Sequence, residues 1–431
     1  MNSFSNQDNS AFFYKIFITI MLLLLYRFGS YIPVPGLYLE LNDVVANKSY
    51  RDFISVLNTI SGGNLSRMSI FALAIGPYIT ASIIISLSSK IYKSLESLKK
   101  EDGENGRIKI AQLTKYLTFV LAIFQSYGLS VLFSDNTVIE YFSLRPYGFS
   151  LMVTMTVATG AIVVMWIGDI ITNHGIGNGS SLVIFVGIVA SLPSGIISFF
   201  ELLRKGVLDI SIFFFSMLIF SVIAAVVLLI EQSNRKILIN YPKRQLGNKI
   251  FAANSTNIPL KINGSGVIAP IFANALLGLP GLLLPTLGND NILFNNVLYY
   301  LGRGKIFYVI MLVALIMYLS FMYTLLAFNS QDTSKQLNKY GAYITGIKPG
   351  QATSDYFDYV LTRLAVLGGI YLSIICVLPE IIYGFGVQFY FNGTTLLITI
   401  NVVLDTFTQA QSHLFTRKYA SVMQKMKYRI K

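Results

Sequence analysis

Few residues in this chain have the type and spacing that catalysis needs. Asp169 and Asp405 stand near the ends of apolar stretches, His174 and His413 stand at similar edges, and the single thiol, Cys376, lies inside one. A carboxylate at such an edge is either a solvated boundary charge or a step in a proton relay. Relays place ionisable groups at mid-span, and the mid-span positions here carry almost none. Two histidines and one cysteine fall short of a conventional zinc set, and one cysteine closes no internal disulfide. The run Gly175-Ile-Gly-Asn-Gly179 has glycines spaced like a phosphate cradle, yet no strand leads into it and no lysine follows. It reads as a turn between helices. The residues predict no enzyme, no cofactor and no metal.

The elements that must carry these residues are apolar blocks of membrane length. A bilayer core about 30 Å thick takes about 20 apolar residues per helical crossing. Ten such blocks lie near 12–32, 70–88, 113–133, 150–172, 181–203, 211–230, 265–285, 305–328, 359–379 and 393–411. The chain is 54% hydrophobic and 12% charged, with a mean hydropathy of +0.61, too apolar for a soluble globule of 431 residues. The opening MNSFSNQDNS lacks the charged region and cleavage site of a removable signal peptide, so the first block is expected to be retained. The fold class expected is an all-α polytopic membrane protein.

The net charge of +13 is unevenly placed. Cations cluster between blocks two and three (Lys90, Lys93, Lys99, Lys100, Arg107, Lys109) and between six and seven (Arg235, Lys236, Lys243, Arg244, Lys249, Lys261). More follow block eight (Lys335, Lys339, Lys348), and the tail after 411 is basic. The alternate loops carry only scattered ones. That asymmetry places both termini in the cytoplasm after an even number of crossings. The clusters lack the interleaved aromatics of a base-stacking platform, which argues against nucleic acid.

Several blocks are interrupted, and broken backbone is tolerated in a membrane only where protein or a water-filled cavity surrounds it. Block one ends in Arg27-Phe-Gly-Ser-Tyr-Ile-Pro33-Val-Pro35-Gly36, where two prolines set an extended exit. Phe53 to Arg67 is apolar but too short to span, and it is hinged on Gly62-Gly63. By composition it is an interfacial helix or a re-entrant piece, with the interfacial reading favoured. Block seven opens on Asn263-Gly-Ser-Gly266 and holds Pro270, Pro280 and Pro285, where a helix kinks. The breaks predict a path through the membrane.

The ordered motifs resemble one family. Arg27–Gly36, Ser61-Gly-Gly63 with Ile70-Phe-Ala-Leu-Ala-Ile-Gly-Pro-Tyr-Ile79, Leu121-Ala-Ile-Phe-Gln-Ser126 and Gly175–Gly179 are similar to those of SecY, the protein-conducting channel subunits. So are Asn240-Tyr-Pro-Lys-Arg-Gln245, Gly346-Ile-Lys-Pro-Gly350 and Phe389-Tyr-Phe-Asn-Gly-Thr394, and the resemblance runs from about 12 to 425. It implies ten transmembrane helices in two inverted pseudo-symmetric five-helix halves, 1–203 and 204–411, followed by a basic cytoplasmic tail, 412–431. A hinge lies between helices five and six, and a lateral gate between two and seven.

The resemblance also implies site residues. The pore ring would be Ile79, Ile83, Ile184, Ile188, Ile271 and Ile398. Residues four apart share a helix face, so each i,i+4 pair can point one way. An isoleucine collar gates by dewetting and grips no particular side chain. The segment of about 53–66 becomes a re-entrant plug helix, with Phe53, Leu57, Ser61, Gly62, Gly63 and Leu65, which reverses the interfacial reading. Gln125 and Asn263 would serve the lateral gate, where an apolar signal sequence exchanges pore for lipid. Arg235, Lys236, Lys243, Arg244 and Lys348 would dock the ribosome or the motor ATPase SecA.

Two positions depart from the family pattern: Lys348 and Gln331 stand where arginine is usual, and lysine lacks the planar fork. The implied partners are the small subunits SecE and SecG, SecA, the ribosome, unfolded preproteins with their signal sequences, and membrane lipid. The implied place is a bacterial plasma (inner) membrane, or an organelle membrane of bacterial descent. A solute transporter would instead show convergent polar groups at the midplane, and an insertase or lipid-modifying enzyme a hydrophilic groove or a His or Asp cluster.

Overall fold

The structure, a computed structural model, describes residues 2–35, 58, 61–92, 95, 103–134, 146–206, 210–242, 244–246, 249–251, 254–283, 300, 305–384 and 393–429. Among these, a helix lies on each of the ten apolar blocks. They are α1 (Asn2–Gly29), α2 (Gly76–Ile91), α3 (Gly103–Ser134), α4 (Pro146–His174), α5 (Gly179–Arg204), α6 (Ile210–Gln232), α7 (Ile268–Leu283), α8 (Ile306–Ala327), α10 (Gln351–Gly384) and α11 (Gly393–Arg429). A short polar helix, α9 (Ser330–Lys339), follows α8. Among the described residues, five stretches are by length and composition able to cross a bilayer: Phe12–Gly29, Gly148–His174, Gly179–Ile197, Ile306–Lys339 and Gln351–Pro379. Met217–Gln232 and Ile268–Gly278 are shorter apolar helices. A helix satisfies its backbone groups within one segment, which is why apolar sequence in lipid takes that form.

The chain divides into two compact units. The first holds Met1–Leu208, Ala275–Lys305 and Thr395–Lys431; the second holds Asp209–Asn274 and Ile306–Thr394. In the first, α3 packs on α2 and α4, α4 packs on α5, and α1 packs on α4 and α5. Small residues set the spacing. Gly160 of α4 lies beneath the carbonyl of Ile70, and Gly168 of α4 faces Gly179 at the start of α5, so that a Cβ at Gly160 or Gly179 would collide with backbone. Close backbone approach of this kind is how membrane helices gain packing without a hydrophobic driving force between them. Hydroxyls turn inward on their own helices: Thr118 donates to the Thr114 carbonyl (2.7 Å) and Thr154 to that of Ser150 (2.6 Å).

In the second unit, α8 and α9 pack on α10. The connection between blocks six and seven, which carries one of the cation clusters, forms two small antiparallel ribbons. β1 (Asn234–Tyr241) pairs with β4 (Asn254–Lys261) from Asn234↔Lys261 to Tyr241↔Asn254. β2 (Arg244–Leu246) pairs with β3 (Lys249–Phe251). The period-two pattern buries Ile237 and Ile239 and turns Leu238 outward. The ribbon's inner face joins Leu260, Leu337, Ala342, Ile344, Phe357, Leu361 and Leu364 in one core. A bridge ties Asn240 to Tyr343, with backbone bonds of 2.9 and 3.0 Å, and the Asn240 side-chain amide donates to the Thr345 hydroxyl at 2.9 Å. The connections after α6 and α8 are therefore one folded module.

Phe357 is wholly buried at its centre, 5.3 Å from the Phe328 ring. Phe357→Ala is expected to cost the module about 3–5 kcal/mol. Limited proteolysis should then cut the 234–261 ribbon far faster than in the parent protein; unchanged resistance would refute this assignment of the core.

Candidate functional site

The six isoleucines sit on four helices. Ile79 and Ile83 lie one turn apart on α2, the first half-buried and the second buried. Ile184 and Ile188 lie one turn apart on α5 and are both buried. Ile271 is half-buried near the start of α7, and Ile398 is buried in the first turns of α11.

Of the residues expected in a plug, Phe53 and Leu57 lie outside the described residues. The others form a compact turn held by its own polar groups. The Gly63 amide donates to the Asn58 carbonyl (3.0 Å), and the Ser66 amide to Asn58 Oδ1 (2.8 Å). The Ser61 hydroxyl donates to the Asn58 carbonyl (3.0 Å) and accepts from the Leu65 amide (3.3 Å). Leu65 is buried beneath them. Asn64 points into the unit, where its amide donates to the Tyr26 hydroxyl on α1 at 2.9 Å.

The exit of the turn is tied to the end of α1. The Val34 amide donates to the Met68 carbonyl (2.8 Å), and the Ile70 amide to that of Ile32 (2.9 Å). Met68 and Ala74 have positive φ, 48° and 46°, a left-handed conformation that ordinary residues keep only when their surroundings impose it. Gly62, at φ 70°, rests directly on the backbone of Gly187. Gly187 lies on α5 between Ile184 and Ile188. The structure thus brings the Ser61–Leu65 turn and one pair of ring candidates to the same place. Sequence reasoning missed Tyr26 and Gly187, since neither stands out from neighbouring aromatic and small residues.

The Gly175–Gly179 run is a clamp. The Gly175 amide donates to the Ile171 carbonyl (2.8 Å), Ile176 to the Thr19 hydroxyl on α1 (3.1 Å), and Gly177 to Gln409 Oε1 on α11 (3.1 Å). Asn178 caps α5, accepting from the Ser180 amide at 3.2 Å. The backbone donors that a phosphate would need are engaged. Asp169 is ion-paired with Lys115 of α3 at 2.6 Å. Among the described residues, no group of three or more His, Cys, Asp or Glu is placed to hold a metal ion.

The two residues expected at a lateral gate belong to different units. Gln125 is buried on α3. Asn263 is buried at the joint between β4 and α7, and its amide donates to Glu231 Oε1 at 2.7 Å and to the Gly266 carbonyl at 3.2 Å. Glu231 was passed over in the sequence, although a carboxylate closing the run Val-Val-Leu-Leu-Ile was a legible signal. Among the residues expected to dock partners, Lys243 lies outside the described residues. Arg235 and Lys236 are exposed on β1, and Arg244 opens β2, paired with Phe251. Lys348 is exposed on the rim of a groove it shares with Asn338, Tyr343, Ile347 and Pro349, and Gln331 is exposed on α9.

A family model described as SecY matches residues 69–407. The protein translocase subunit SecY of Rickettsia felis is 47% identical over 99% of each chain, and that of Vibrio cholerae is 41% identical over 95% of this chain and 94% of its own. The chain belongs to the SecY family. Solved structures share the fold at lower identity. The structure of a protein conducting channel superposes with a TM-score of 0.67 at 18% identity, covering 93% of this chain and 92% of its own. Sec61 in the canine ribosome-channel complex of the endoplasmic reticulum gives 0.64 at 17%, with the same coverage. SecY-family membership makes this a channel-forming subunit of a protein translocase, a multi-pass membrane protein with the ten-helix fold, and not an enzyme.

Proposed function

We propose that this SecY-family subunit passes unfolded preproteins through a pore narrowed by Ile79, Ile83, Ile184, Ile188, Ile271 and Ile398, and sealed at rest by the 53–66 segment. The observation that carries this reading is the seat of Gly62 on Gly187, between Ile184 and Ile188. An aliphatic collar with a polypeptide turn against it dewets, and so hinders ions without selecting the side chains that pass. In this reading 1–203 and 204–411 are the two inverted halves, and 412–431 is a cytoplasmic tail. Gln125 and Asn263 line a lateral gate that releases apolar segments to lipid. A photoprobe at position 83 or 188 should crosslink a stalled secretory nascent chain; labelling by lipid alone would end the assignment.

The basic module after α6 and α8 faces the cytoplasm in this reading, and both termini lie on that side of a bacterial plasma membrane. Arg235, Lys236, Lys243, Arg244 and Lys348 dock a ribosome or the motor SecA, with SecE and SecG completing the channel. Support comes from the exposed cations on β1 and from two related Sec complexes solved with ribosomes, the canine complex and yeast Ssh1. Contacts between cations and phosphate-rich or acidic surfaces weaken as salt screens them. Reversing both charges, Arg235→Glu with Lys236→Glu, is expected to weaken ribosome binding about tenfold or more and to flatten its salt dependence. Equal affinities in a sedimentation assay from low to high salt would exclude this face.

A further inference from the structure

The joint between β4 and α7 is gripped on several sides by the second unit. The Glu231 carboxylate, at the end of α6, accepts from the Asn263 amide at 2.7 Å and from the Tyr371 hydroxyl of α10 at 3.4 Å. The Ser265 hydroxyl donates to Asn263 Oδ1 at 3.1 Å and lies 3.2 Å from the Ser320 hydroxyl of α8. Gly264 packs against Thr324, and the carbonyl of Ile262 faces Gly368 of α10, where a Cβ would come within 3.0 Å. Ser265, Ser320 and Asn263 are buried. One oxygen, Glu231 Oε1, is thus the acceptor on which α6, α10 and the approach to α7 converge. Glu231 is half-buried at the end of α6 and is held there by two donors of its own unit. The strand that ends at Lys261 belongs to the exposed ribbon, so a load on that ribbon reaches Asn263 through two residues of chain.

We infer that Glu231 is the positioning residue of the gate. Its carboxylate latches Asn263 and Tyr371 to hold α7 in the resting arrangement, and movement of the β1–β4 ribbon by a docked partner opens the latch. The inference rests on the reading that α7 forms one side of the lateral gate. The 2.7 Å bond to Asn263 has the energetics of a charge-assisted hydrogen bond, stronger than a neutral one, and the 3.4 Å contact with Tyr371 is the longer, weaker member of the pair.

The test uses the full translocase in proteoliposomes, with resting ion flux and transport of a preprotein bearing a weakened signal sequence as readouts. Glu231→Ala removes both bonds and should raise resting flux roughly tenfold and admit the weakened substrate. Tyr371→Phe removes the longer bond alone and should raise flux roughly twofold. Glu231→Gln keeps an acceptor at the same place, and its flux should fall between the parent and Glu231→Ala. Parent-level flux in both Glu231→Ala and Tyr371→Phe overturns the latch, as does Glu231→Gln matching Glu231→Ala. Should the alanine variant fail to assemble, raised flux in Tyr371→Phe and Glu231→Gln supports the latch, and parent-level flux in both overturns it. A photoprobe at Val267 separates the two readings. Absence of any signal-sequence crosslink there, in the parent as in the variants, overturns the gate itself, whereas a normal crosslink with unchanged flux overturns only the role of Glu231.

Discussion

A channel carrying asparagine at both Ile184 and Ile271 is expected to leak ions at rest and to transport preproteins with defective signal sequences. Each isoleucine removes roughly 1.5–3 kcal/mol of apolar side chain from water, and that reluctance to wet is what an aliphatic constriction uses as its barrier. An asparagine offers a donor and an acceptor to water and to passing ions. Losing one side chain's contribution raises the conductance by a factor of about 10–100. Proteoliposome ion flux measures this directly, and export of a signal-defective reporter measures the loss of stringency. Replacement by valine or leucine serves as the contrast, because it keeps the apolar character while changing the shape. If the asparagine pair conducts no more than the parent, these side chains do not line the pore.

The second large effect is expected at Gly62, where two costs add. A φ of 70° is left-handed, costing a residue with a Cβ roughly 1–2 kcal/mol. The Cβ would also strike the backbone of Gly187, which cannot rotate away as a side chain can. Gly62→Ala should therefore unseat the turn and raise resting flux about tenfold. Its neighbour separates the two costs. Gly63 has a φ of 83°, but a Cβ there finds only the Ser66 hydroxyl oxygen at 4.0 Å, so Gly63→Ala carries strain without collision. The opposite face separates them again. A methyl at Gly187 would sit 3.4 Å from Gly62 Cα and 3.5 Å from the Ser61 carbonyl, an ordinary contact. Gly187→Ala should be close to silent, whereas Gly187→Leu should leak. A leak equal in Gly62→Ala and Gly63→Ala would mean that backbone strain alone unseats the turn and that Gly187 is no part of the seat.

The second experiment probes one short stretch, and its construction shows how little of it is local. The Ser61–Ser66 turn is closed by bonds to Asn58, but its position is set by Asn64 reaching Tyr26, by Gly62 meeting Gly187, and by the bonds of Val34 to Met68 and of Ile70 to Ile32 beside the Pro33 exit. Read along the chain, the segment is an apolar stretch with a glycine hinge, compatible with an interfacial helix. The left-handed Met68 and Ala74 carry no sequence signature at all, because their φ values are imposed by what they pack against. The Gly175–Gly179 run shows the same division. Its turn was legible from its glycines, whereas its anchoring to Thr19 and Gln409 links residues 157 and 232 positions apart.

Sequence alone determined the ten helices, because each needs only a run of apolar residues long enough to cross and a solvent that forbids unpaired backbone. It also determined the uneven distribution of cations and, through ordered motifs, the family. Tertiary structure decided the rest. It folded the connection between blocks six and seven into ribbons packed on the loop after α8, since the alternation of Ile237, Leu238 and Ile239 gains meaning only when Phe357 and Leu361 cover one side. It also placed Asn263 and Tyr371 on one oxygen of Glu231, across 32 and 140 residues of chain. Burial and hydrogen bonding at such separations depend on where helices cross, and periodicity within a single helix holds no record of its neighbours.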